Sequence, residues 1–435
     1  MIHTTKPDAP NNQSAGTQSA AIGEAVPQLP PRSALFRATR ATLAATGTLT
    51  MARRLLALFR PPPAAEGALL TFEVTAAPAP TPSAEPAYEA LKTPENRVLP
   101  AIATYDSRIA AEIATFEHDE VVHNLPEIFH YWSNKYLLPM IQPFGFIHPD
   151  DFFINQLAKA MPSDATRPAH FISIGAGNCD TEVRVARGLI AVGINNFTIE
   201  CVELNPAMLE RGRALAAESG LQAHVLPVQG DFNKWQPTKP YHAVMANQSL
   251  HHVLELEHLF EAILTAIAAN NGVLITSDMI GRNGHMRWPE ALSIVEEYWL
   301  TLGEKYKNNH QLKRVELDFV NWDCSAEGFE GIRAQDILPL LNQRFHFDLF
   351  IPFGNIVAPF VDRSFGPNFD INNADDRAFI DAVHARDELE IASGRIKPIQ
   401  MFAVLSADFS RPSLHRGHLT PAFCERKLTA NLPPI

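Results

Sequence analysis

Between residues 166 and 407, short runs rich in β-branched residues alternate with stretches whose apolar positions recur at helical spacing. The short runs predict strands over 169–174, 197–203, 223–229, 242–246 and 273–278. The helical stretches predict helices over 180–192, 206–219, 255–269 and 331–342. Two later runs, 345–351 and 398–406, read as strands separated by a long interval with a charged helix over 374–393. Strands that alternate with helices must bury both faces, which is the mark of a parallel sheet wrapped by helices. No crossover helix follows the charged insert, so the final pair is expected to be antiparallel. The fold class expected is α/β: a doubly wound, mostly parallel seven-stranded sheet, Rossmann-like, with its last strand antiparallel.

Outside that region the pattern changes. Residues 101–165 show helical periodicity with clustered aromatics, notably Phe129, His130, Tyr131, Trp132 and Tyr136, and read as a helical cap. Residues 1–100 are rich in Ala, Pro, Ser and Thr and bury too little apolar surface to offset the entropy of ordering, so they read as a disordered arm. Within the arm, residues 33–60 carry Arg37, Arg40, Arg53, Arg54 and Arg60 with no acid, beside Leu35, Phe36, Leu55 and Phe59. The stretch reads as part of a mostly disordered basic arm, with a basic amphipathic helix on an anionic membrane surface or an organellar address as the alternatives. The remaining boundaries place inserts at about 279–325 and 352–396 and a tail at 408–435.

Composition narrows the partners. A net charge of -12 and a pI near 5.8 repel a phosphate backbone, so a nucleic-acid partner is disfavoured. Cys179, Cys201, Cys324 and Cys424 form no close pair of the kind a zinc or redox motif uses. No Asp/Glu/His cluster is spaced along the chain for a metal, so none is expected. No apolar run approaches the roughly 20 residues a membrane span needs, and a cytoplasmic protein is expected. Composition leaves the oligomeric state unspecified.

The chemistry-bearing motifs sit at the predicted strand ends. The first strand runs into Gly175-Ala176-Gly177-Asn178-Cys179-Asp180, where two glycines allow a sharp turn and close approach of a ligand. A dinucleotide fold wants a third glycine where Asp180 stands, and a carboxylate at a helix start repels a pyrophosphate. A nicotinamide- or flavin-dependent oxidoreductase is therefore disfavoured, and a cofactor without phosphates is acceptable. Glu203, followed by Leu204, ends the second strand, where a carboxylate can accept bonds from both ribose hydroxyls. Gly230-Asp231-Phe232 ends the third strand, with Asp231 suited to an adenine amino group and Phe232 to the ring face.

With Asn247-Gln248-Ser249-Leu250-His251-His252 after the fourth strand, these motifs resemble, in order and spacing, the class I S-adenosylmethionine-dependent methyltransferases of small-molecule type. The resemblance implies S-adenosyl-L-methionine as cofactor. It assigns Gly175, Ala176, Gly177 and Asn178 to the methionine part and ribose, Glu203 to the ribose, and Asp231 and Phe232 to the adenine. Asn247 and Gln248 would flank the methionine end. Two positions depart from the family pattern: Ser173 replaces an acid on the first strand, and Cys179 replaces the third glycine. The stretch after the fourth strand also lacks the Asn-Pro-Pro-Tyr type of motif that grips the exocyclic amines of bases, which favours a small-molecule acceptor at oxygen or nitrogen.

On the acceptor side, His251, His252 and His285 are base candidates, since imidazole titrates near neutrality. Tyr131, Trp132, Asp278, Arg282, Arg287 and Trp288 are candidates for the acceptor pocket. The reading from a different class is a catalytically silent S-adenosylmethionine-binding regulatory or scaffold protein.

Overall fold

The computed structural model describes residues 104–116, 124–164, 166–326 and 328–426. The arm and its basic stretch over 33–60 lie outside the described residues.

The cap comprises α1 (Tyr105–Phe116), α2 (Glu127–Trp132), α3 (Leu138–Ile141) and α4 (Pro149–Lys159). A π-turn at Ser133–Leu137 joins α2 to α3. Pro139 lacks an N–H and its ring crowds the preceding turn, a sufficient reason for the helix to widen there. Strand β1 (Ala169–Ile174) leads into α5 (Asp180–Ala191), then β2 (Phe197–Glu203), α6 (Pro206–Glu218), β3 (Val225–Gln229) and β4 (Ala243–Asn247). The chain continues through α7 (Leu256–Ala268), β5 (Val273–Met279), α8 (Pro289–Thr301) and the small hairpin β6 (Asn308–Asn309) and β7 (Arg314–Val315). It ends with α9 (Ala334–Arg344), β8 (His346–Phe353), α10 (Ala358–Val361), α11 (Ala374–Ser393), β9 (Gln400–Ser406), β10 (Leu414–His415) and α12 (Pro421–Cys424).

The main sheet has eight strands in the order β10-β8-β9-β5-β4-β1-β2-β3. Strands β1 to β5 are parallel to one another, while β9 runs antiparallel between β5 and β8. This is the doubly wound, Rossmann-like sheet expected, with one addition. The short β10, from the stretch read as a tail, pairs parallel with β8, and Leu419 and Cys424 beyond it join the core. The strands bury both faces, as Ile172, Ile174, Val244, Met245, Leu274 and Ile275 show, each at most 1% exposed. Among the described residues no helix is long and apolar enough to cross a membrane.

The sheet order positions a site. After β1 the chain winds one way to β2 and β3, then returns to β4 on the other side of β1, opening a crevice at the carboxyl edge where the order reverses. Helix α4 closes one flank of the sheet by seating Ile154 against Gly188 of α5, where an added Cβ would lie only 2.2 Å from the Ile154 Cδ1.

Candidate functional site

The glycine bend sits in this crevice. Gly175 (φ +68) and Gly177 (φ +54) are both left-handed, and a Cβ on Gly175 would lie 2.7 Å from the Cβ of Ser249. Position 175 therefore admits only glycine on two independent grounds. Cys179, at the family's third glycine position, also takes a left-handed conformation (φ 60). Its side chain is accommodated by Gly212 of α6, where a Cβ would approach the Cys179 Sγ to 2.8 Å.

Glu203 ends β2 at 8% exposure. Its Oε2 accepts from the Gly177 N–H at 3.0 Å and its Oε1 from the Asn205 N–H at 2.9 Å. Burial pushes its pKa up against those backbone donors. A carboxylate has about four acceptor positions, so two remain for a ligand. Leu204 is half-buried beside it, and the Gly230 N–H donates to the Glu203 carbonyl at 3.0 Å, which brings the end of β3 to the same edge. There Phe232 is buried, while Asp231 accepts from the Tyr105 hydroxyl of α1 at 2.8 and 2.7 Å and pairs with Lys234 at 3.2 Å. The first turn of α1 thus covers the acid assigned to adenine.

Two buried polar atoms beside the bend have no hydrogen-bond partner: Asn178 Nδ2 and Glu182 Oε2. Glu182, from α5, was absent from the sequence candidates, yet its Oε1 accepts from the Ser173 hydroxyl at 2.7 Å. A carboxylate from the following helix therefore stands beside position 173. The Glu182–Ser173 separation hid it, since no strand pattern marks an acid nine residues on. At 2% exposure, burial pushes the Glu182 pKa up to about 7, with the Ser173 bond opposing. An unfolded glutamate titrates near about 4.3. Between those values the folded chain keeps a proton that the unfolded chain has lost, so stability is greatest below that window and falls as pH rises through it. Glu182→Gln is expected to flatten this fall when urea unfolding is compared at about pH 5 and about pH 8. A variant with the slope of the parent would contradict the assignment.

After β4, Asn247 Nδ2 donates to Thr181 Oγ1 at 3.2 Å, and Gln248 (φ 53) donates its N–H to the Ser277 carbonyl at 2.7 Å. Asp278 organises the next turn from β5. Its Oδ2 accepts from the Ser249 and Leu250 N–H groups at 2.9 and 2.7 Å, and its Oδ1 meets His251 Nδ1 at 2.7 Å.

The three candidate histidines converge. Glu330 Oε1 lies 2.5 Å from His285 Nε2 and 3.5 Å from His251 Nε2, and its Oε2 lies 3.4 Å from His252 Nε2. His252 Nδ1 in turn meets Glu112 of α1 at 2.8 Å. Burial opposes charge on His251, but Asp278 and Glu330 prevail and push its pKa up to about 10. Burial holds His285 below the ordinary imidazole value despite Glu330. Glu330 itself is held well below the carboxylate range by the surrounding imidazoles, against its own burial. Ligand atoms of His251, His252 and Glu330 all lie within 4.8 Å of one another, a grouping that spacing along the chain does not mark.

A cavity of about 800 Å³ adjoins this cluster, lined by His285 and Glu330 on one side and by the 309–322 and 357–367 segments on the other. Of the pocket candidates, Trp132, Arg282 and Arg287 line it. Tyr131, Asp278 and Trp288 do not. The Tyr131 hydroxyl donates to Asp381 at 2.9 Å and anchors the cap to α11. Asp278 is fully buried beside the His251 ring, and the guanidinium groups of Arg282 and Arg426 lie over the Trp288 ring at 5.2 and 4.0 Å from its centroid. Arg287 is only 7% exposed, donates through Nη1 to the His285 carbonyl at 2.8 Å, and leaves its buried Nε without a partner.

Neither a family model nor a curated protein matches this sequence. Among solved structures, the chain is similar to a geranyl diphosphate methyltransferase in complex with GPP and sinefungin, 15% identical over 60% of this chain and 76% of that one, with a TM-score of 0.33. It is also similar to StiE O-MT residues 942–1257, 12% identical over 70% and 92% of the respective chains, TM-score 0.36. The [4+2]-cyclase SpnF is 15% identical over 66% of this chain and 97% of its own, TM-score 0.33.

Proposed function

We propose that this protein binds S-adenosylmethionine in the crevice between β1 and β4 and transfers its methyl group to an oxygen or nitrogen of a small molecule held in the adjoining cavity. The observation that carries this reading is the juxtaposition of the two left-handed glycines with the buried Glu203 carboxylate, which already draws the Gly177 N–H inward. The residues fit the cofactor. Glu203 retains acceptor capacity for ribose hydroxyls, and the unpartnered Asn178 Nδ2 and Glu182 Oε2 are a donor and an acceptor available to an amino acid moiety. The acids Asp180 and Glu182 in the first turn of α5 disfavour a pyrophosphate instead.

When bound, the cofactor supplies an electrophilic methyl on a sulfonium. The protein's contribution is position, worth about 7–11 kcal/mol when two reactants are well aligned. His285 lines the cavity, burial holds its imidazole below the ordinary value, and Glu330 holds its Nε2, so it is the base available to an acceptor proton. His251, charged at neutral pH and spent on Asp278, keeps the post-β4 turn in place instead.

An apolar molecule bearing an acidic group suits the cavity. Phe129, Trp132, Phe319 and Phe365 line it, while Arg287 offers a buried guanidinium to an anion. A charge-assisted bond contributes about 1.5–3 kcal/mol, so Arg287→Met is expected to raise KM for the acceptor by roughly tenfold or more with cofactor affinity unchanged. Equal KM values in variant and parent would remove the acidic group from the proposal.

The reading is tested by incubating the full chain with methyl-labelled S-adenosylmethionine and a metabolite extract. Release of S-adenosylhomocysteine together with a labelled product supports it. Cofactor binding without any product would favour the silent binder, and absence of binding would end both readings.

A further inference from the structure

We infer that His251, His252 and Glu330 form a binding site for a divalent first-row transition-metal ion at the floor of the acceptor cavity. The donor atoms are set for it: Glu330 carboxylate oxygens lie 3.5 Å from His251 Nε2 and 3.4 Å from His252 Nε2. Two ligands bound at about 2.05 Å with a tetrahedral angle between them lie about 3.4 Å apart. The spacing is wide for a direct hydrogen bond and right for an ion between the groups.

A second observation points the same way, because each of the three ligands has its own outer partner. His251 Nδ1 meets Asp278 at 2.7 Å, and a Glu112 carboxylate oxygen stands 2.8 Å from His252 Nδ1. The Asp278–His251 pair leaves Nε2 facing Glu330, the carboxylate–histidine arrangement that orients a metal ligand, and an ion binds there in exchange for the Nε2 proton. Glu330 Oε1 meets His285 Nε2 at 2.5 Å, which fixes the carboxylate from the opposite side. These partners come from α1, β5 and the loops before α8 and α9, so the arrangement is not a product of one local turn. Glu330 is 40% exposed at its side chain and lines the cavity, which supplies an entry path and leaves coordination positions open to a ligand from the cavity.

Two imidazoles with one carboxylate suit Fe²⁺, Co²⁺ or Zn²⁺, whereas Mg²⁺ and Ca²⁺ prefer all-oxygen sites. An ion here would polarise an oxygen of the acceptor and acidify a hydroxyl bound to it. The inference goes beyond methyl transfer and does not rest on the cofactor reading.

The test uses the full chain, stripped with a chelator and titrated with Co²⁺, read by the visible d–d absorption of the ion. A saturable band with one Co²⁺ per chain, displaced by Zn²⁺, is expected. His252→Gln and Glu330→Gln are each expected to weaken it by at least about tenfold. No saturable band in the parent chain, or unchanged affinity in both variants, would overturn the site. Should circular dichroism show that the variants do not fold, anomalous scattering from a Co²⁺-loaded crystal of the parent decides: cobalt bound by His251, His252 and Glu330 supports the site, and cobalt elsewhere overturns it. Parallel calorimetry with S-adenosylhomocysteine keeps the outcomes separate, since the cofactor and the ion are read by different signals.

Discussion

Replacing Glu203 with alanine is expected to weaken binding of S-adenosylhomocysteine by more than about a hundredfold, measured by titration calorimetry. The side chain offers two acceptor positions beyond those taken by the Gly177 and Asn205 N–H groups. Each charge-assisted bond to a ribose hydroxyl contributes about 1.5–3 kcal/mol, and about 2.7 kcal/mol corresponds to a hundredfold in affinity. The substitution also releases two backbone N–H groups that hold the glycine bend, which adds to the loss rather than offsetting it. Glu203→Gln separates the two contributions, because the amide keeps one acceptor oxygen and loses the charge. Affinity within twofold of the parent in the alanine variant would rule out the ribose assignment.

Asp278→Ala is expected to cost about 3–5 kcal/mol of folding stability, read from urea unfolding near neutral pH. Asp278 is fully buried and accepts from Ser249, Leu250 and its own neighbour Met279, while its Oδ1 faces the charged His251 ring. Removing it strands a buried imidazolium and unpairs three backbone donors at once. A hydrophobic pair of matching volume would not carry this penalty, because the cost lies in the uncompensated charge. The same substitution is expected to abolish methyl transfer by loosening the turn after β4. A stability loss below about 1 kcal/mol, the net value of a single ordinary hydrogen bond, would mean that the carboxylate is not the organiser of that turn.

Some of this molecule is legible residue by residue. The runs at 169–174 and 197–203 are strands with those bounds, and the helix expected at 374–393 spans Ala374–Ser393. Buried parallel strands have to be apolar on both faces, and helix starts carry their own signals, such as Asn205 accepting from the Ala207 N–H with Pro206 in the first turn. The glycine bend is legible for the same kind of reason. The sequence is silent where a side chain's partner lies far along the chain. Tyr131 reads like a pocket aromatic, but Asp381 draws its hydroxyl to α11. Asp278 is an acceptor-pocket candidate in the sequence, and in the structure the turn after β4 closes over it.

Periodicity and turn chemistry are written between neighbours, so the sequence by itself determined the α/β class, the order of elements and the strand ends where the cofactor motifs stand. Tertiary structure alone decided which distant groups meet. Glu182 reaches back to Ser173, β10 adds itself beside β8, and Glu112, His251, His252, His285 and Glu330 gather from separate segments at one edge of the sheet. The physical reason is that a buried charge must find its counter-charge in space, wherever the chain happens to bring one, and nothing in the local sequence specifies that partner.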